Sequence, residues 1–245
     1  MAAGNESLHA AELDTDHPPR KLRADGAQAR ERILLGALRL FVARGYASTP
    51  VRDIAHDAGV NIAAIGYYFG DKAGLYRAAL YEPMQGEDTD APFDAPGLGL
   101  REAMARYLGH CLQPLSQGEA SLLSVRLRFR EAVEPTGMLA DERSRKAELH
   151  RRLVVLLARH AGLPDPSAQP DRELEALAFS IFALVAYPYF GRDRISATCP
   201  ALFDAPDALD AWVDRLADYA EAMAHADASR RTSSPIQRHD QESRR

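Results

Sequence analysis

Apolar residues recur at helical spacing along almost the whole chain, and this periodicity restricts the possible folds more than any other feature of the sequence. Within 30–44, one stripe carries the apolar positions Ile33, Leu34, Ala37, Leu38 and Phe41. The same period returns in five later segments, 98–115, 119–134, 140–161, 171–190 and 206–224. No segment shows the sustained alternation of β-branched residues that is typical of strands. The sequence therefore predicts an all-α fold, with a small N-terminal domain and a larger C-terminal helical bundle.

Polar and proline-rich segments divide the chain into five parts. Residues 1–19 and 227–245 bury too little apolar surface to offset the entropy of ordering, which predicts a disordered tail at each end. The segment from Pro83 to Gly97 carries three prolines, two glycines and four acidic residues, a composition typical of a linker. Between the tails, the predicted parts are a three-helix domain over 20–83, a linker over 84–97 and a helical domain over 98–226.

The composition excludes several classes of protein. The 245 residues carry 30 Lys and Arg against 35 Asp and Glu, and a net charge of -5 excludes a histone-like protein that coats nucleic acid. The two cysteines, Cys111 and Cys199, are too few for a disulfide framework and are expected to be free thiols. No run of 18 or more apolar residues predicts a membrane-spanning helix, and the polar N-terminus is unlike a secretion signal. We therefore expect a cytoplasmic protein without a membrane partner.

The most informative segment is 49–76, where a tight turn separates two short helical patterns. Thr49 is predicted to cap the first helix, with Pro50 at its first position. Gly59 and Val60 are predicted to form the turn, and Asn61 to cap the second helix, 61–68. This arrangement is typical of a helix-turn-helix, whose second helix fits a major groove about 12 Å wide.

The string TPVRDIAHDAGVNIAAIGYYFGDKAGLY resembles the DNA-binding signature of the TetR family of bacterial repressors. The shared positions are Thr49, Ile54, Ala55, Ala58, Gly59, Val60, Tyr67, Phe69, Lys72 and Leu75. The resemblance covers roughly residues 28–80. The string AGVNIAAIGYYFGDKAGLYRA, with Arg130-Glu131 and Glu134-Pro135 downstream, is further similar to the CecR-like subgroup.

The resemblance implies DNA contacts for eight residues, Thr49, Arg52, Asn61, Ala63, Ala64, Tyr67, Tyr68 and Lys72. Thr49, Tyr67 and Lys72 would contact phosphates, and Arg52 would reach a phosphate or a base. Asn61, Ala63 and Ala64 would face base edges, where the alanines offer only methyl packing against thymine or close backbone approach. The sequence departs from the family pattern at Gly66 and Gly70.

Charge is unevenly distributed along the chain. Residues 20–83 carry ten basic and six acidic residues, a net charge of +4, which leaves -9 on the remainder. A basic domain on an acidic body favours a polyanionic partner, here double-stranded DNA. Arg20, Lys21 and Arg23 form either an arm that enters a minor groove or a solvated segment before the first helix.

The segment 171–190 is apolar almost all round, which predicts burial on more than one side. It is either an intrachain core helix or one that also pairs with a second copy. The resemblance favours a homodimer, because the family pairs its last two long helices into a four-helix bundle, and such a dimer would bind a palindrome. The predicted interface residues are Leu177, Ile181, Leu184, Val185, Trp212 and Leu216.

The helices between 98 and 190 are also predicted to enclose an unidentified small-molecule effector. The candidate pocket residues are Met104, Tyr107, Cys111, Arg126, Phe129, Arg130, Phe182, Tyr187 and Phe190. The apolar members are alternatively plain core residues. Arg126, Arg130 and Glu134 form either an exposed salt-bridge ladder or a buried cation that orients an anionic ligand.

Catalytic patterns are lacking, since the sequence has neither a Gly-x-Ser-x-Gly elbow nor a His-Glu-x-x-His motif. The cysteines have no clustered metal-ligand partners. From these absences together we expect that the protein is not an enzyme and that it binds neither a metal nor a cofactor. We expect a repressor that responds to a ligand. Because the helix that begins at Lys72 continues from the N-terminal domain toward the linker, we hypothesise that an effector acts through it and shifts the dimer to a conformation unsuited to the operator. Two alternatives stay open: an activator with the same DNA-binding domain, and an all-α small-molecule-binding protein or enzyme without DNA binding.

Overall fold

A computed structural model describes residues 20–84, 93–138, 140–167, 169–205 and 207–233, and these residues form helices and turns without a strand. The α-helices are α1 (Arg20–Arg44), α2 (Val51–Asp57), α3 (Ile62–Phe69), α4 (Lys72–Tyr81), α5 (Leu100–Leu112), α6 (Glu119–Val133), α7 (Ala140–His160), α8 (Arg172–Thr198), α9 (Ala201–Asp204) and α10 (Ala208–Ser233). The predicted all-α fold is confirmed. We name residues 20–84 the head and residues 93–233 the body.

The head forms around the apolar stripe that the sequence predicts on α1. Ile33, Leu38 and Phe41 are fully buried, in one core with Ile54 of α2 and Leu75 of α4. Burying a side chain of this kind stabilises the fold by about 1.5–3 kcal/mol. Helix α1 is thus the central helix of the head, and the three shorter helices, α2, α3 and α4, pack against it.

Helix α1 begins ten residues earlier than its apolar stripe predicts. Arg20, Lys21 and Arg23 therefore lie in the first turns of a helix, which corrects the predicted arm and the predicted segment before the helix. The side chains of residues 20–24 are outside the described set, as is the predicted tail over 1–19. Any contact that these cations make with DNA stays a prediction.

The body is built around α8, which packs against α6, α7 and α10, while α10 lies along α5. Its core includes Ile181 and Tyr189 of α8 and Tyr107 of α5. Phe93, from the predicted linker, is also fully buried, with its ring centre 5.3 Å from that of Tyr107. The linker prediction is therefore wrong at Phe93, and residues 85–92 lie outside the described set.

Helix α10 continues to Ser233, so the predicted C-terminal tail is wrong for residues 227–233. Asp227 is buried, and its carboxylate accepts a hydrogen bond from Arg231 Nε at 2.7 Å. Arg231 also donates to Asp171 at the start of α8, at 2.8 and 3.0 Å. These bonds to Arg231 hold the pKa of Asp171 at about 2, and residues 234–245 lie outside the described set.

By length and composition, α8 is the one helix in the described ranges that could cross a membrane. However, 44% of its most apolar 18-residue window is buried inside the protein. The core helix of a globular protein has the same length and composition, because it too is surrounded by apolar side chains. The expected absence of a membrane partner therefore stays a prediction.

Candidate nucleic-acid interface

The turn between α2 and α3 has the geometry that the sequence predicts. Gly59 adopts a φ of 63°, in the left-handed region that favours glycine. The N–H of Val60 then donates to the carbonyl of Ala55 at 3.0 Å. Ile54 on α2 and Ile65 on α3 are buried in the core beneath the turn. The two helices are thus fixed at an angle, with the opposite side of α3 directed outward.

Both ends of α3 are fixed by local hydrogen bonds. Asn61 caps its N-terminus, as the sequence predicts, because Oδ1 accepts the N–H of Ala63 at 2.9 Å. At the other end Gly70 terminates α3 and its N–H donates to the carbonyl of Gly66 at 2.9 Å. Asp71 then caps the next helix, α4, by accepting the N–H of Gly74 at 2.6 Å. Helix α3 is therefore a rod of about two turns whose ends are held by the flanking residues.

Ile62, Ala63, Gly66 and Tyr67 are exposed on the side of α3 away from the head core, and we name this set the outer face. Ile62 is 53% exposed and Tyr67 is 83% exposed. The sequence predicts that Ala64 also faces base edges, but Ala64 is half-buried against the head core. Ile62 takes the exposed position instead, and the sequence reasoning missed it.

Two cations flank α3 in the sequence. The Arg52 side chain is 79% exposed and lies 3.6 Å from the carboxylate of Asp53. Lys72 is half-buried, with its Nζ 4.4 Å from the centre of the Tyr46 ring. Burial lowers the pKa of Lys72 from its usual value. Arg52 is thus largely exposed beside one carboxylate, whereas Lys72 lies against an aromatic ring.

Two residues predicted to contact DNA point elsewhere. Thr49 is fully buried, and its hydroxyl donates to the carbonyl of Gly45 at 2.7 Å. The N-cap position of α2 is Pro50, so both the capping role and the phosphate contact predicted for Thr49 are wrong for its side chain. Tyr68 is half-buried against the head core, with its ring centre 4.9 Å from that of Tyr67. Tyr68 therefore supports the outer face from behind.

Helix α6 belongs to the head as well as to the body, through a contact with α1 and α4 that we name the seam. Leu123 and Leu127 of α6 are buried in the head core. Glu131, one turn later, is buried and accepts hydrogen bonds from the Tyr76 hydroxyl at 2.8 Å and the Thr136 N–H at 2.7 Å. Burial, and then Glu131 itself, raise the pKa of Tyr76. In the sequence, Glu131 continues the i, i+4 series of Leu123 and Leu127, and this spacing was the signal that could have identified the contact.

Arg130 also belongs to the seam and not to a pocket wall. Its guanidinium donates to the carbonyl of Val42 at 3.2 Å and to Glu134 at 2.8 Å. Arg126 lies on the body side, where Nε donates to the carbonyl of Tyr189 at 2.9 Å. The two arginines thus tie α6 to a different helix each. The Arg130–Glu134 pair of the predicted ladder is present, whereas Arg126 bonds to α8 and lies outside it. A ligand role for either arginine stays a prediction.

The structure brings some of the predicted pocket residues together. The ring centre of Phe129 lies 4.8 Å from that of Phe190 and 6.0 Å from that of Phe182. Phe190 and Tyr187 are more than half exposed, which contradicts a place for them in the wall of an interior pocket.

The other predicted pocket residues lie in or beside the body core. Met104 and Tyr107 are buried there, and burial raises the pKa of Cys111, which packs against the same core, to about 12. A cleft between α8 and α10, lined by Leu177, Ser180 and Met223 among others, includes none of the predicted pocket residues. Ligand binding at the predicted positions stays a prediction.

Four of the six predicted dimer residues are buried inside the chain, and the other two are partly exposed. Leu177, Ile181, Val185 and Leu216 are buried in the body core, and Leu184 and Trp212 pack against it. The exposed side of α8 instead carries Phe179, Ala183, Tyr187 and Phe190, which we name the aromatic stripe. Its three rings are each 54–60% exposed. The spacing of these positions along a helix was the signal that the sequence reasoning missed.

Among the residues that the structure describes, no group of three His, Cys, Asp or Glu side chains is placed to hold a metal ion. Cys111 and Cys199 are free cysteines. Within the described part of the chain, two surfaces have a chemistry suited to a partner: the outer face of α3, with its two flanking cations, and the aromatic stripe of α8.

Comparison with known proteins places two family models on the chain. The model "Bacterial regulatory proteins, tetR family" matches residues 33–79, which include α2 and α3. The model "HTH-type transcriptional dual regulator CecR, C-terminal domain" matches residues 100–226, more than half of the chain. Together the two models cover the head and the body in the same order as the structure.

Two curated relatives are transcriptional regulators. The dual regulator CecR of Shigella flexneri is 32% identical over 152 residues, which cover 56% of this chain and 66% of the relative. The probable regulator YttP of Bacillus subtilis is 40% identical over 112 residues, which cover 46% and 54%. The chain thus spans just under two thirds and about half of these two relatives.

Solved structures share the fold. A putative transcriptional regulator from Pseudomonas aeruginosa PAO1 superposes with a TM-score of 0.54 at 19% identity, covering 86% of this chain and 95% of that one. A TetR-like regulator from Rhodococcus sp. RHA1 gives a TM-score of 0.51 at 23% identity, covering 84% and 99%. At such identities the likeness extends to the arrangement of helices and no further.

Proposed function

The chain belongs to the TetR family of bacterial regulatory proteins, with a C-terminal domain of the CecR type, and on that premise we propose that it represses transcription as a DNA-binding homodimer. The family prediction from the sequence is confirmed. The observation that carries the proposal is the outer face of α3, which is exposed along a rod fixed at both ends. A single helix of this width fits a major groove about 12 Å wide. Arg52 and Lys72 would neutralise phosphates on either side, and Tyr67 would donate to one.

The proposed dimer forms through the aromatic stripe of α8. From Ala176 to Gly191 this helix carries no charged residue, so a second copy of the same surface can cover it without desolvating a charge. Fully burying each large apolar side chain contributes about 1.5–3 kcal/mol. A two-fold dimer presents two copies of α3, and would bind half-sites about 34–36 Å apart in a palindrome.

The proposed response to an effector runs through α6. Phe129 and Arg126 on its body side contact α8, whereas Glu131 on its head side holds Tyr76 of α4. A small molecule that binds beside Phe129 and favours another position of α6 would move the seam, and with it both heads. The dimer would then hold its two α3 helices at a spacing unsuited to the operator.

The test is selection of duplexes from a random-sequence pool by the full-length protein, followed by affinity measurements over a series of salt concentrations. We expect a palindromic sequence and a steep fall of affinity with salt, because phosphate neutralisation releases counterions. Transcription in vitro from a promoter carrying that sequence separates a repressor from an activator. Failure to select any sequence, or an affinity that ignores salt, contradicts the proposal and favours an all-α protein without DNA binding.

A further inference from the structure

The outer face of α3 offers almost no hydrogen-bonding side chain to a base edge. The helix reads Ile-Ala-Ala-Ile-Gly-Tyr-Tyr-Phe and contains no charged or amide side chain. Ile62 and Ala63 occupy the exposed side of its first turn, and Gly66 lies one turn later. A helix that reads bases through paired hydrogen bonds carries Arg, Lys, Asn or Gln at such positions.

The one amide that adjoins this face has its acceptor occupied. Asn61 Oδ1 accepts the N–H of Ala63 at 2.9 Å and thereby caps α3. Pairing with adenine through two hydrogen bonds requires both the oxygen and the nitrogen of an amide side chain. Such pairing would have to use the second lone pair of an oxygen whose position the cap already fixes, so Asn61 is less suited to specify a base than a free amide.

Apart from the Tyr67 hydroxyl, which is assigned to a phosphate above, the remaining chemistry of the outer face is apolar contact. Thymine is the base whose major-groove edge carries an apolar group, the C5-methyl. Ile62 is 53% exposed, although an isoleucine is among the residue types most often buried. A Cβ added at Gly66 would meet nothing within 4 Å, so the side of α3 next to Ile62 is open for a groove edge to approach.

We propose that this protein specifies its operator chiefly through thymine C5-methyl groups, which pack against Ile62 and Ala63 on α3. Gly66 lets the groove edge come close to the α3 backbone. The inference deepens the proposed DNA-binding function and rests on it. Ile62 adds a larger apolar side chain to the contact with thymine that the sequence assigns to Ala63 and Ala64 alone.

The experiment uses the duplex that the full-length protein selects, with its thymines replaced one at a time by deoxyuridine. This change removes the C5-methyl and leaves the base pair and the O4 acceptor in place. Affinity should fall about fourfold for each contacted methyl, the factor expected for burying one such group. At the same position, a 5-methylcytosine–guanine pair should recover most of the affinity that an unmethylated cytosine–guanine pair loses.

Variants assign the effect to α3. Ile62→Ala should bring the thymine-to-deoxyuridine affinity ratio at the contacted position close to one, while Ile62→Val should keep part of it. The matched control is Val133→Ala on α6, which trims an apolar side chain that is 77% exposed outside the outer face. That control should leave the ratio unchanged. The deoxyuridine series on the unaltered protein stands even if a variant folds poorly.

The outcomes separate the inference from the function beneath it. If no sequence is selected and binding ignores salt, the proposed DNA-binding function fails. If a duplex is selected but deoxyuridine matches thymine at every position, the inference alone is overturned. Loss of affinity on 5-methylcytosine equal to that on cytosine also overturns it, because the protein would then read the O4 acceptor.

Discussion

The outer face of α3 and the aromatic stripe of α8 are both exposed and apolar, yet they differ in side-chain size and in neighbouring charge. The outer face combines the small residues Ala63 and Gly66 with Ile62 and a single ring, Tyr67, and lies between the cations Arg52 and Lys72 in the sequence. The aromatic stripe carries three large rings, and no charged residue occurs from Ala176 to Gly191. Small side chains beside cations suit close approach to a polyanion, whereas a row of uncharged rings suits another apolar protein surface.

The difference teaches that exposure alone does not identify a partner. Both surfaces expose apolar area. They differ in neighbouring charge and in side-chain size, and these two properties distinguish a surface suited to a DNA groove from one suited to another protein. The two surfaces are also connected, because α6 contacts α8 through Phe129 and α4 through Glu131. DNA affinity and dimer formation can therefore be measured on the same variant, to show whether a substitution on one surface affects the other.

The largest expected effect comes from a charge in the middle of the aromatic stripe. Ala183→Glu removes no intrachain contact of a large side chain, but would place a carboxylate between the rings. We expect monomers in sedimentation equilibrium and a loss of about 100-fold in DNA affinity, because two linked heads bind far more tightly than one. Ala132→Glu, at an exposed position of α6, is the matched control and should change neither. A monomeric variant that kept full DNA affinity would contradict the proposed dependence of DNA binding on the dimer.

The next effect concerns the seam that joins them. Tyr76→Phe removes the hydroxyl that Glu131 accepts at 2.8 Å and leaves a buried carboxylate with fewer partners. The free energy of unfolding should fall by about 2 kcal/mol in urea titrations. Tyr67→Phe, at an exposed hydroxyl, should leave the free energy of unfolding unchanged and weaken DNA binding instead. If Tyr76→Phe weakened DNA binding and Tyr67→Phe lowered the free energy of unfolding, the roles assigned to the two tyrosines would be contradicted.

A smaller effect is expected at the cation that begins α4. Lys72→Ala should lower affinity about tenfold for specific and scrambled duplexes alike, and should reduce the slope of log affinity against log salt by about one. Lys72→Arg keeps the charge and should retain most of the slope. A Lys72→Ala variant that binds as well as the unaltered protein at low salt would refute the phosphate contact.

The smallest effect concerns the residues that cap the N-termini of α3 and α8, of which one is neutral and the other charged. Asp171, the cap of α8, has a pKa of about 2 beside Arg231, below the 3.8 of a free aspartate. Its stabilising contribution is therefore complete above about pH 4 and is lost as the pH falls toward 2. Asn caps a helix as well as Asp, so the stability gap between the unaltered protein and Asp171→Asn comes from the partly exposed ion pair with Arg231. This gap, about 1 kcal/mol at neutral pH, should narrow over that range. A gap that stays constant with pH would contradict the charge pairing, and Asn61→Ala provides the control because a neutral cap does not titrate.

The head was largely predictable from the sequence because its signals are local. Gly59, Val60 and Asn61 each act within a few residues, and the structure places all three as predicted. Thr49 was not predictable in the same way. Its hydroxyl donates to the carbonyl of Gly45, four residues earlier in the turn between α1 and α2, and the sequence does not show whether a threonine there caps the next helix or bonds back to the preceding turn.

The body was less predictable because one apolar helix serves two purposes. Ile181 and Val185 fill the core, while Tyr187 and Phe190 point outward from the same α8. Composition gives all four the same character, and only the packing of neighbouring helices decides which side is covered. Glu131 was harder still, since its partner Tyr76 lies 55 residues away in the sequence.

Hydroxyl-radical footprinting of the full-length protein tests most directly whether the two surfaces have different partners. Tyr67, 83% exposed in the single chain, should lose reactivity only when the selected duplex is added. Tyr187 and Phe190 should lose reactivity as protein concentration rises, before any DNA is present. Protection of the α8 rings by duplex, with Tyr67 still reactive, would contradict the assignment of α3 to DNA and α8 to the second copy.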